Sequence, residues 1–229
     1  MTDPAAAVGL RERKKQRTRQ HIADTARRLF AERGFERVTV TEIAREAEVA
    51  PATVFNYFPT KEDLFYSRLE AFEERLLVAI RDRAPGESVL DAFAGFLLGQ
   101  GGVLAMDAPG GDEQATNQIR TISRVITESP ALLARERQVL ERYAESLTAM
   151  LAEDTGAERD DVACRVVANA LIGLHRALIG YVREQALAGA SAARIRRDVH
   201  AEAERATALL ERGIGGFGVR GGAAAAAAG

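Results

Sequence analysis

Apolar residues recur along this chain at every third or fourth position, in stretches that predict helices buried along one side. Ile22, Ala26, Leu29 and Phe30 follow that spacing and place a first helix over about residues 10–33, with Gly34 as its stop. Two short helices come next. One covers about 40–47, with Ile43, Ala44 and Ala47 on its inner face; the other covers about 51–57, with Val54 and Phe58 turned to the core. Thr39 and Glu42 have the spacing of a capping box. Pro51 suits a first helical position, where its missing N–H needs no partner. Phe55 is expected to pack across the helix pair. After Pro59, Thr60 caps a fourth helix whose stripe of Leu64, Phe65, Leu69, Phe72, Leu76 and Ile80 runs to about residue 83. That is roughly 35 Å of continuous helix at the standard rise, long enough to link two domains mechanically.

The rest of the pattern is helical too. Helices are predicted over about 87–99, 113–127, 129–153, 160–188 and 192–212, with a glycine-rich loop holding Pro109, Gly110 and Gly111 between the first two. The eighth predicted helix is apolar on more than one side. Val167, Leu171, Leu174, Leu178 and Val182 make one face, and the small residues Ala170, Gly173, Ala177 and Gly180 make another. A helix apolar nearly all round must be covered nearly all round. The eighth and ninth predicted helices are therefore expected to form a homodimer interface. Residues 1–9 are expected to be a disordered arm and 213–229 a disordered Gly/Ala-rich tail.

Charge changes this picture. The chain of 229 residues has a net charge of −2, yet its first 19 residues hold six basic and two acidic groups. Positive charge is thus local, in the run from Arg11 to Arg19, directly ahead of the two short helices. Such a pair behind a basic arm suits a phosphate backbone and base edges. The single cysteine, Cys164, permits no disulfide within the chain and fits a reducing compartment. No apolar run is long enough to span a bilayer, and no secretory signal opens the chain. These features lead us to expect a soluble cytoplasmic protein without membrane contact.

The chemistry of the head follows from its exposed positions. Arg13, Lys14 and Arg17 offer charge to phosphates. On the second short helix the outward positions are Ala52, Thr53, Asn56 and Tyr57. Asn56 suits adenine N6 and N7, or a phosphate. Thr53 brings a hydroxyl and a methyl, Tyr57 reaches phosphate, and Ala52 lets the backbone come close. Lys61, in the first turn of the fourth helix, is placed as a phosphate clamp. Thr39 and Thr41 can serve the other side of the groove, although Thr39 is first a cap.

The stretch LFAERGFERVTVTEIAREAEVAPATVFNYFPTKEDLF resembles the N-terminal domain of TetR-family transcriptional regulators, most specifically in its aromatic–x–aromatic–Phe element followed by Lys–Glu. The resemblance implies an all-α fold. A three-helix helix-turn-helix DNA-binding domain over 10–59 precedes a helical ligand-binding and dimerisation bundle over 60–212. It also implies a homodimer on a palindromic double-stranded DNA operator, most often a repressor released by a small-molecule effector. An activator, or a carrier of the same fold that has lost DNA binding, is the alternative. One departure stands out: where the family often has Ser, this chain has Ala50, so the side-chain cap of the recognition helix is missing, worth about 1 kcal/mol of local stability.

Within the resemblance the body encloses an effector. Candidate lining residues are Phe72, Phe93, Phe96, Met106, Ile122, Ile126, Tyr143, Met150, Asn169 and His175, with His175 better read as a core or interface polar group. An effector that tilts the fourth helix would change the spacing of the two heads. Catalysis is not expected. The three histidines lie on separate helices without metal-type spacing, no phosphate-binding glycine loop follows a strand, and neither metal nor cofactor is implied.

Overall fold

Alanine-rich sequence behind a proline starts the first helix earlier than its apolar stripe does. In the computed structural model, which describes residues 4–67, 69–99 and 111–213 (side chains at 13–67, 72–99 and 111–213), α1 spans Pro4–Arg33. Pro4 and three alanines, the best helix formers, open the described part of α1. The part of the expected disordered arm that is described is therefore helical. Gly34 ends α1 at φ +81°, its N–H bonded to the Phe30 carbonyl at 2.9 Å.

Helix α2 (Val40–Glu46) opens on the capping box. The Glu42 N–H donates to Thr39 Oγ1 at 3.2 Å, and the Thr39 N–H donates to Glu42 Oε2 at 2.8 Å. Helix α3 (Pro51–Tyr57) begins with Pro51 and has no side-chain cap at Ala50. Helix α1 contributes Ile22, Leu29 and Phe30 to the core they share, α2 contributes Ile43 and Ala44, and α3 contributes Val54, with Phe35, Val38 and Phe58 closing it from the connections.

The fourth helix is not continuous. Helix α4 covers only Lys61–Phe65, and α5 covers Leu69–Arg81. Tyr66 caps α4 and Ser67 lies in a turn, both buried. The apolar stripe passes over this break because its residues serve two cores. Leu64 and Tyr66 belong to the core of the head, whereas Phe72, Leu76 and Ile80 belong to that of the body. The 35 Å rigid lever read from the sequence is thus two shorter helices.

The body adds α6 (Val89–Leu98), α7 (Gly111–Thr127), α8 (Pro130–Thr155), α9 (Val162–Leu187) and α10 (Ala192–Arg212). Ser88, Ser129, Asp161 and Ser191 cap α6, α8, α9 and α10. Leu147 of α8, Leu171 and Leu178 of α9 and Ile195 of α10 meet Phe72, Leu76, Ile80 and Phe93 in the second core. Val125 and Ile126 of α7 and Leu132 of α8 pack instead into the core of the head, so the α7–α8 corner is shared ground. Among the described residues every regular element is helical. Met106, most of the expected glycine-rich loop and the expected tail from residue 214 lie outside the described residues.

Candidate nucleic-acid interface

Two helical positions, Val54 and Phe58, anchor α3 in the core and so fix which of its residues face outward. Ala52, Phe55 and Asn56 are exposed, while Thr53 and Tyr57 are half-buried. The expectation that Phe55 packs across the helix pair is wrong: its ring is 52% exposed. The reason is rotational. Residue 55 lies about 100° around the helix from Val54, off the side that Val54 and Phe58 bury.

The basic face of α1 stands beside this surface. Arg13, Lys14 and Arg17 are exposed. The Arg19 guanidinium lies 4.9 Å from the centre of the Phe58 ring, just past the end of α3. That contact joins the basic stretch to the recognition helix, and such cation–ring pairs favour one mutual orientation.

Other predicted contacts are placed differently. Thr41 is exposed, but the Thr39 hydroxyl donates to Glu42 Oε2 at 2.9 Å while it accepts the Glu42 N–H. Hydrogen bonds from the backbone and hydroxyl of Thr39, with help from Arg33 and Arg45, hold the Glu42 carboxyl below the usual carboxylate range. Thr39 is first a cap. Lys61 is turned inward: Nζ donates to the Phe35 carbonyl at 2.8 Å and the Val38 carbonyl at 3.0 Å, and lies 4.1 Å from the centre of the Phe35 ring. Two of its three donors tie α4 to the α1–α2 connection.

Several contacts absent from the sequence reading seat the head on the α7–α8 corner. The Tyr66 hydroxyl donates to the Leu132 carbonyl at 3.1 Å, Ser129 Oγ donates to Glu36 Oε1 at 2.5 Å, and Arg135 pairs with Asp63. Asp63 also completes the capping box of Thr60. Burial, with Glu136 nearby, pushes the Tyr66 hydroxyl well above its ordinary range, so it stays a donor. These partners are 66, 93 and 72 residues apart, and no local sequence signal marks them.

The profile of bacterial regulatory proteins of the tetR family matches residues 22–67, and that of the MftR C-terminal domain matches residues 103–215. The HTH-type transcriptional regulator TcmR of Streptomyces glaucescens is 32% identical over 153 residues, 67% of this chain and 67% of that protein. The chain belongs to the TetR family of transcriptional regulators. The mycofactocin-biosynthesis regulator MftR of Mycobacterium tuberculosis, itself a proposed assignment, is 27% identical over 169 residues, 71% of this chain and 78% of that protein. Native NalD, described as the secondary repressor of the MexAB-OprM multidrug efflux pump in Pseudomonas aeruginosa, shares the fold. Its TM-score is 0.52 at 22% identity, covering 87% of this chain and 96% of NalD. TetR-family regulators bind DNA operators, act as dimers and are not enzymes.

The TetR-type body divides the predicted effector residues. Phe72, Phe93, Tyr143, Met150 and His175 are buried, and Phe96 packs on the same core. The Phe72 ring stacks on His175 at 4.7 Å and 17° and meets Phe96 edge-on at 5.1 Å. Among the described residues His175 Nδ1 is buried without a hydrogen-bond partner, and burial pushes the imidazole pKa down to about 4. Ile122 and Ile126 are not in this group, since both pack with the head. Asn169 is exposed on α9, donating to the Arg165 carbonyl at 2.8 Å, and lines a surface groove with Glu141 and Ala144 of α8.

Proposed function

We propose that this TetR-family regulator is a homodimeric repressor that holds a palindromic operator and releases it when a small molecule enters the body. The outward face of α3, with the basic side of α1 fastened next to it through Arg19 and Phe58, supports this reading most directly. Asn56 reads a base edge. Arg13, Lys14 and Arg17 hold phosphate, with Thr53, Tyr57 and Thr41 in support. The cytoplasm is the compartment where such an operator is met.

Dimerisation is assigned to α9 and α10. Val162 and Val166 stand 69% and 62% exposed on α9, where a lone subunit leaves apolar surface in water. Ala177 is exposed, and Gly173 and Gly180 are half-buried; small side chains of this kind let a second helix come close. The effector is assigned to the ring cluster of Phe72, Phe96, Tyr143 and His175, where an unpartnered imidazole nitrogen calls for a hydrogen-bond partner. Because the helix is interrupted at Tyr66–Ser67, the signal reaches the head mainly through the α7–α8 corner. An effector shifts the equilibrium only by its differential affinity for the two states.

The test is selection of bound duplexes from random-sequence DNA, followed by salt titration of the selected duplex. A palindromic consensus is expected, with log affinity falling against log salt by about 0.9 for each phosphate neutralised. A protein that stays monomeric and prefers no duplex at low salt would exclude this function.

A further inference from the structure

A solvent-exposed phenyl ring on the recognition helix has no structural task. Phe55 is the one aromatic among the exposed large hydrophobic side chains of the described residues. It belongs to neither core. Its neighbours on the outer face are Ala52, one turn back, and Asn56, the adjacent residue, both exposed. A ring without hydroxyl or charge makes no hydrogen bond to phosphate. In the major groove the base edges present donors, acceptors and one apolar group, the C5-methyl of thymine.

We infer that Phe55 reads the C5-methyl group of a pyrimidine, thymine in ordinary DNA, and is a specificity-determining residue of this regulator. The inference rests on the DNA-binding reading above and adds a base identity to it. Asn56, next to Phe55, matches adenine N6 and N7, so the two side chains together favour A·T pairs. Ala52 leaves space beside the ring for the methyl to enter. Phe55 is thus an apolar group kept at the surface because its partner lies in the duplex.

The test uses the full chain and the duplex recovered by selection. Each thymine is replaced in turn by uracil, which removes the methyl and preserves pairing. For the unaltered protein, one position in each half-site should weaken binding about fourfold per methyl removed, the expected size for one buried methyl group. Phe55→Ala should bind thymine and uracil duplexes equally, and Phe55→Leu should keep part of the difference. At that position 5-methylcytosine should bind more tightly than cytosine, which separates methyl recognition from recognition of the thymine O4. Circular dichroism of Phe55→Ala should match the parent, because the ring supports no core. A selected duplex indifferent to every uracil replacement overturns the inference and leaves DNA binding standing. The same holds if Phe55→Ala retains the full thymine preference, or if it loses dimerisation. Failure to select any duplex overturns both readings.

Discussion

An ammonium group carries three donors, and at Lys61 two of them are held by the Phe35 and Val38 carbonyls. Those carbonyls lie in the α1–α2 connection, so Lys61 is a cross-brace of the head before it is a phosphate ligand. Charged hydrogen bonds of this kind contribute about 2 kcal/mol in partly buried settings. Lys61→Ala should lower the unfolding midpoint measurably in denaturant, and not only weaken DNA binding. An unchanged midpoint would return Lys61 to the role of a plain phosphate clamp. The sequence placed Lys61 correctly in the first turn of α4, because Thr60 and Asp63 mark that turn locally. It held no sign of where Nζ goes, because Phe35 and Val38 are 26 and 23 residues away. Phe55 failed for a related reason. Apolar identity suggested burial, and only the positions of Val54 and Phe58 show that the ring turns outward. Glu48, at φ +53° in the turn before α3, is a further backbone fact without a side-chain pattern to reveal it.

At the scale of elements, three helix starts were legible in local signals. The capping box fixes the start of α2, Pro51 the start of α3, and Ser129–Pro130 that of α8, within the residues predicted. The break between α4 and α5 was invisible because a stripe at helical spacing does not register a change of core. That break makes the corner contacts matter. With no unbroken lever between head and body, the corner holds α4 through Tyr66 on Leu132 and Arg135 on Asp63, and holds the α1–α2 connection through Ser129 on Glu36. Tyr66→Phe deletes one hydroxyl from this set and keeps the ring. Stability should fall by about 1 kcal/mol. The larger effect should be on coupling: the factor by which a saturating effector weakens operator binding should shrink, measured as the ratio of operator affinities with and without it. A ratio equal to that of the parent would move the coupling route away from the corner.

The whole molecule joins a DNA-facing head to a body whose core holds a buried imidazole. His175 is 3% exposed, and burial lowers its pKa from the ordinary 6.5 to about 4. Between those values the unfolded chain binds a proton that the folded chain refuses, so the folded state gains stability as pH rises through the window. The contribution is complete above about pH 6.5 and is lost as pH falls toward 4, roughly 3 kcal/mol at 1.36 kcal/mol per pKa unit. Glu42 and Asp161 also have lowered pKa values, but from 4.5 and 3.8, so their titration lies below most of this window. Chemical denaturation at a series of pH values should therefore show a rise in stability between pH 4 and 6.5. His175→Phe, which keeps a ring against Phe72, should flatten most of it. If the slope persists in the variant, the buried imidazole is not its source. If it disappears, the body holds a neutral imidazole at physiological pH, whose buried Nδ1 can pair with an effector hydroxyl or amide.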